Sequence, residues 1–365
     1  MSSPRPVLLD QRTSDLIRFR PCPACYLCGA TGELFYEGLT DRLYGAPGTW
    51  NLKRCPKPGC ELIWLDPMPV EEDIGNAYKN YFTHVEGNAA PKSWPKRAFG
   101  WAKKGYWARK YGYGIASVGR WQKFFGMAIQ LHPGRQAELD FTVLYLPSRQ
   151  NGLLLDIGCG SGQAMRNLAE LGWRVHGVDF DPRAVQIARK KGLNVRLGNL
   201  TAQDYPSDYF DAITMSHVIE HVHDPLSLLD ECRRILKPGA HLVIVTPNSG
   251  SWGHHRFKAN WMHLDPPRHL HVFNGQNLRK LVEGAGFQLV SSCTTIRDAN
   301  GLFLGSRSIA RTGEYPNMAG QFPPTLPSRL GGCGRQFAEW VLMNLKPDLG
   351  EEIALVGAKP LRLPS

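Results

Sequence analysis

LLLDIGCGSG spans residues 153–162. A short apolar run ends at Asp156, glycines follow at 158, 160 and 162, and a helix-competent stretch begins at Gln163. The run reads as a buried strand. Alternate glycines let the backbone turn sharply and let a ligand approach without a Cβ clash. The helix that follows presents unpaired N–H groups to that ligand. A dinucleotide loop would keep the G-x-G-x-x-G spacing. Here Gln163 stands in the place of the third glycine, and Gly162 comes one residue early. The next apolar strand, RVHGVD, ends at Asp179. A carboxylate there can accept two hydrogen bonds from a ribose diol, with the ligand lying across the C-terminal edge of an open sheet.

Working outward, strands and helices alternate from residue 151, which predicts a parallel sheet with crossover helices. Strands are expected at Gly152–Ile157, Trp173–Val178, Asn194–Leu197, Phe210–Met215, His241–Thr246, Phe287–Cys293 and Glu352–Gly357. Helices fit at Pro182–Lys191 and Pro225–Leu236. Residues 306–334 are rich in Gly, Pro and Ser and read as an irregular insertion.

The segments LDIGCGSG, GVDFDPRAV, FDAITMSHVIEHVHDP, RRILKPGAHLVIVTPN and the late GAGF occur in this order. Together they resemble the class I S-adenosylmethionine-dependent methyltransferases over about residues 151–300 and again at 351–359. The resemblance implies a Rossmann-like, seven-stranded α/β sheet whose last strand is antiparallel. It also implies that Asp156, Gly158, Gly160 and Gly162 surround the methionyl part of the cofactor and that Asp179 holds its ribose. Gly198 and Asn199 would lie near the adenine, and His217 would line the methyl-transfer side.

The 365 residues are 42% hydrophobic and 21% charged, ordinary for a folded chain, with a formal net charge of +11. The charge favours anionic partners, among them phosphorylated small molecules and membrane surfaces. The N-terminus lacks a signal-peptide apolar run, and no stretch approaches the roughly 20 apolar residues of a membrane span. A cytoplasmic location is the expectation.

Residues 1–20 read as a polar tail, 21–70 as a small metal module, 71–150 as a basic, aromatic helical cap, and 151–360 as the catalytic domain. In 21–70, Cys25-x-x-Cys28 precedes Cys55-x4-Cys60, and two such pairs can give four thiolates to one tetrahedral zinc. Cys22 is a fifth candidate. The stretch resembles the N-terminal zinc-binding domain of some bacterial methyltransferases, including sugar and polysaccharide-associated ones. That likeness implies a zinc-ribbon-like module with a structural zinc. Residues 92–125 interleave Lys and Arg with Trp, Tyr and Phe. This segment reads as a cap over the substrate that can also touch a membrane surface. Nucleic-acid binding has little support, since no recognised binding fold accompanies the charge.

Two stretches bring histidines to the ends of strands four and five. In MSHVIEHVHDP, residues 215–225, His217, Glu220 and His221 share a face if the segment is helical. They could serve proton transfer, hold a divalent metal, or only shape the turn. Ubiquinone-pathway O-methyltransferases resemble this stretch, with an acidic residue able to stand where His217 does. In HLDPPRHLHVF, residues 263–273, Asp265-Pro-Pro-Arg268-His269 resembles a segment of polysaccharide-associated methyltransferases. Extended chain there would point His269 and His271 to one side and Arg268 to the other. Arg268 is expected to contact an anionic substrate, with His271 lining the pocket. Alternatively, Arg268 forms an ion pair and the histidines pack on the cap. The general base is sought among His217, His221, His263 and His269. The leading expectation is methyl transfer to a sugar or a phosphorylated or lipid-linked glycan precursor. The alternatives are O-methylation of a phenolic or quinone-like small molecule, and a non-catalytic cofactor-binding scaffold.

Overall fold

The computed structural model describes residues 16–79, 94–114, 117–315 and 326–361; for 94–97, 326–333 and 335 only the backbone is described. The N-terminal region forms β1 (Phe19–Arg20), β2 (Glu33–Leu39), β3 (Trp50–Arg54), β4 (Ile63–Leu65) and β5 (Met68–Pro69). β2, β3 and β4 pair antiparallel and bury Trp50, Leu52 and Trp64. The end of the expected polar tail is structured: β1 pairs with β5, and the Arg18 guanidinium holds the Asp73 carboxylate at 2.8 Å.

The cap contains α1 (Trp94–Lys110), α2 (Arg120–Met127) and α3 (Pro133–Thr142). Glycine permits the α1–α2 crossing: a Cβ on Gly105 would lie 1.9 Å from the Gln122 carbonyl oxygen, and one on Gly126 would lie 2.4 Å from the Tyr106 nitrogen. Residues 92, 93, 115 and 116 of the expected cap contact lie outside the described residues.

The central sheet contains β6 (Leu153–Ile157), β7 (Arg174–Asp179), β8 (Asn194–Leu197), β9 (Phe210–Ser216) and β10 (Leu236–Pro247). Helices α4 (Gln163–Glu170), α5 (Pro182–Lys190) and α6 (Pro225–Ile235) connect them. Asp181 and Asp224 accept backbone N–H groups at the starts of α5 and α6, each followed by a proline at the first helical position, a favourable N-terminal pairing. β6 and β9 are covered on both faces, which explains their continuous apolar runs.

After β10 the chain forms α7 (Trp252–Phe257), tight turns, and β11 (His271–Val272). β11 leaves the central sheet and pairs with β4, completing a four-stranded N-terminal sheet in the order β11-β4-β3-β2. Then come α8 (Gly275–Gly284), β12 (Gln288–Thr295), α9 (Ala299–Thr312), α10 (Leu326–Leu345) and β13 (Glu352–Ala358). The seven-stranded sheet runs β12-β13-β10-β9-β6-β7-β8, with β13 antiparallel to both neighbours. This is the Rossmann-like methyltransferase sheet expected from the sequence.

Two local expectations are corrected. Residues 306–312 continue α9 and 326–334 lie in α10, so much of the expected irregular insertion is helical; 316–325 lie outside the described residues. Packing overrides composition here: Gly305 lets α9 approach Met262, whose sulfur would sit 2.3 Å from an added Cβ. Residues 265–269 are not extended, because Arg268 and His269 both donate backbone N–H groups to the Asp265 carbonyl and close a turn.

No helix among the described residues is long and apolar enough to cross a membrane.

Candidate active site

The glycine loop joins β6 to α4. Gly158 and Gly162 have φ of 67° and 80°, and an added Cβ would lie 2.4 Å from Val218 and 2.1 Å from Leu193 respectively. Those two positions therefore require glycine on both conformational and steric grounds. The Asp179 carboxylate fastens the loop: one oxygen accepts the Gly160 amide at 2.7 Å and the other accepts the Asp181 amide at 2.9 Å. Gly198 donates its amide to the Asp179 carbonyl at 2.9 Å, and Asn199 follows as the cap of a tight turn. Asp156 is buried and accepts a hydrogen bond from Thr214 at 2.7 Å. Burial raises its carboxyl to about 7, the Thr214 hydroxyl opposes the rise, and the Asp179 charge adds to it. The structure thus brings Asp156, the three glycines, Asp179, Gly198 and Asn199 to one edge of the sheet.

His217 adopts a φ of 54° directly after β9. Its ring lies between Glu220 at 3.3 Å and Glu352 at 2.9 Å, and Glu352 also pairs with Arg297. Burial alone would push this imidazole down, but the two carboxylates outweigh it and hold it up at about 9. An imidazole held up in this way is a poor proton acceptor near neutral pH.

The other histidines are arranged differently. His221 Nδ1 lies 2.9 Å from both the Tyr78 hydroxyl and the Arg268 carbonyl oxygen. Burial and neighbouring His269 lower it to about 4. His269 Nδ1 contacts the His263 carbonyl oxygen at 2.7 Å. Burial, then the His217 charge, lower His263 to about 3, so its ring is neutral. The His263 Nδ1 is buried without a hydrogen-bond partner, and the ring centroid is 5.9 Å from that of His217.

Glu220, His221 and His269 each offer a ligand atom within 4.8 Å of the others. Glu220 receives the Thr246 hydroxyl on Oε2, while its Oε1 faces His217 Nδ1 at 3.3 Å. Two imidazoles and a carboxylate, with both Nδ1 atoms against backbone oxygens, suit a divalent cation. The metal set weighed from sequence as one alternative was His217, Glu220 and His221. The segment is a short 3-10 turn, not a continuous helical face, and the loop after β10 supplies His269 instead.

Arg268 does not reach a substrate. It is fully buried, and its guanidinium donates to Asp41 at 2.7 and 2.8 Å, to Asp265, and to the Ala77 carbonyl oxygen at 3.0 Å. Such a group has no surface or free donor fork for an external anion. His271 is also corrected: it is buried in β11, its ring 5.3 Å from Tyr26 of the N-terminal module.

Cys25, Cys28, Cys55 and Cys60 place their sulfurs within 4.8 Å of one another, with Sγ–Sγ distances of 3.6 Å for Cys25–Cys60 and 3.4 Å for Cys28–Cys55. Tetrahedral zinc with bonds of about 2.3 Å would set sulfurs about 3.8 Å apart, so the four thiols fit the ion after a small expansion. Cys22 is outside the cluster; its amide donates to the Asp66 carboxylate at 2.6 Å.

Sequence reasoning missed Asp41, Tyr78, Arg297 and Glu352, which hold the histidine region in place. The acidic pair Glu351-Glu352 opening a buried strand was a usable signal for the last of these. Nothing local marked Asp41 or Tyr78.

Residues 132–292 match the family described as Methyltransferase domain. With the sheet order, the match supports a methyltransferase domain over that segment, which is under half of the chain. A ubiquinone biosynthesis O-methyltransferase of Alkalilimnicola ehrlichii is 32% identical over 142 residues, covering 36% of this chain and 57% of that protein. One of the same name from Cereibacter sphaeroides is 36% identical over 150 residues, covering 36% of this chain and 61% of that protein. The chain thus spans under two thirds of the length of these relatives. A solved S-adenosylmethionine-dependent methyltransferase from Mesorhizobium loti is 19% identical, with a TM-score of 0.43, over 61% of this chain and 97% of that one.

These findings overturn the expectation of a sugar or glycan acceptor. The relatives are named for ubiquinone biosynthesis, and Arg268, the expected anion contact, is already neutralised by carboxylates.

Proposed function

We propose that this chain transfers the methyl group of S-adenosylmethionine to a hydroxyl oxygen of a phenolic or quinone-like small molecule. The similarity to proteins named ubiquinone biosynthesis O-methyltransferase carries the reading. Bound S-adenosylmethionine would supply its sulfonium methyl to the acceptor oxygen, with the carbon–sulfur bond broken and a neutral thioether left behind. A phenol ionises near pH 10, so a base is needed at neutral pH. We assign the proton acceptor to His263 on position: its ring centroid lies 5.9 Å from that of His217, and its buried Nδ1 has no hydrogen-bond partner, so an acceptor hydroxyl would supply the one it lacks. The cationic His217, fixed by Glu220 and Glu352, shapes the methyl-transfer side. Asp179 binds the ribose, and Asp156 with the glycine loop cradles the methionyl group. A divalent cation held by Glu220, His221 and His269 would act as a Lewis acid toward the acceptor oxygen.

Zinc at Cys25, Cys28, Cys55 and Cys60 stabilises the N-terminal sheet, and four thiolates leave no open position for catalysis.

The test is turnover of the full chain with labelled cofactor and a set of dihydroxyphenols, with and without magnesium or zinc. A labelled methyl ether supports the reading. Cofactor binding without transfer to any phenol would contradict it.

A further inference from the structure

The cap segment is strongly basic in sequence. Residues 87–137 hold ten Lys and Arg and no Asp or Glu, and so supply nearly all of the net charge of +11. Within this basic segment, large apolar rings stand in solvent. Trp121 is 73% exposed, Phe124 56%, Phe125 51% and Trp101 44%. They form one chain of contacts: ring centroids are 6.3 Å apart for Trp121–Phe124, 5.6 Å for Phe124–Phe125 and 5.9 Å for Trp101–Phe125. Single exposed apolar residues are common, but a contiguous exposed aromatic cluster marks a contact surface. The platform beneath it is tight, because Gly105 and Gly126 bring α1 and α2 into backbone contact.

We propose that the exposed α1–α2 face docks on an anionic lipid bilayer. Trp and Phe rings suit the boundary between headgroups and acyl chains, and flanking cations are drawn to a negative surface. Charge complementarity selects this occupant. A second copy offering the same face would oppose like charges across the contact, with no acidic residue in the segment to relieve them. The inference is independent of the acceptor, because none of these rings belongs to the candidate active site.

The experiment is flotation of the full chain with phosphatidylglycerol-containing vesicles and with pure phosphatidylcholine vesicles. The wild type floats with the anionic vesicles, and raised salt releases it. Trp121→Ser with Phe124→Ser lowers the bound fraction by about tenfold, as does Lys104→Glu with Arg120→Glu. These side chains are exposed, so cofactor affinity, measured in parallel, stays unchanged and reports an intact fold. Failure of the wild type to float, or flotation indifferent to both double variants, would overturn the proposal. So would a concentration-dependent dimer abolished by Trp121→Ser with Phe124→Ser, which would assign the face to a second copy.

Discussion

Arg268 and Asp41 form a fully buried bidentate ion pair, at 2.7 and 2.8 Å, between the loop after β10 and the N-terminal module. The same loop carries His263 and His269, and the Arg268 carbonyl oxygen faces His221. The N-terminal module is therefore part of the frame that holds the histidines. Replacing Asp41 with Asn leaves a buried guanidinium short of one counter-charge. The expected loss of stability is about 3–5 kcal/mol, measured by urea unfolding. A loss below about 1 kcal/mol would mean that the pair is dispensable.

Cofactor binding should depend on Asp179 more than on any histidine. Asp179→Ala removes both the anchor of the Gly160 amide and the proposed ribose contact. Calorimetry should detect no cofactor binding; unchanged affinity would refute the assignment.

How far the sequence foretold this arrangement depended on distance along the chain. The ends of β6 and β7 were legible because Asp156 and Asp179 terminate short apolar runs, and buried parallel strands need such runs. The glycine loop was legible because backbone conformation constrains residue type. The partner of Arg268 was not, since Asp41 lies 227 positions away and neither residue has a local pattern that names the other. His271 looked like a pocket residue because its stretch is polar, yet β11 crosses to another sheet and buries it. In α10, composition favoured loop and tertiary contacts prevailed.

Cofactor affinity should fall as the solution is acidified through neutrality. Burial raises the free Asp156 carboxyl to about 7, so below that pH it is mostly protonated. A cationic methionyl amino group favours the ionised form. Binding therefore releases a proton and weakens toward pH 6, while it levels off above pH 8. Calorimetry in buffers of different ionisation enthalpy would detect the proton; no release at pH 7 would contradict this account. Asp156→Asn should remove the dependence.

Zinc removal should act on the N-terminal sheet first. Purified protein should contain about one zinc per chain, and Cys28→Ser should lower both metal content and thermal stability. Full stability after complete chelation would show that the four thiols need no ion.

His263 should separate chemistry from binding. His263→Ala should lower kcat by about 10²–10⁴-fold with little change in cofactor affinity. An unchanged kcat would remove His263 as the base.

The most direct test of the account is the position of the transferred methyl group. With a labelled-methyl cofactor and a dihydroxyphenol acceptor, NMR of the product should place the intact labelled methyl on a phenolic oxygen. A methyl on ring carbon, or cofactor consumed with no methylated phenol, would contradict the account.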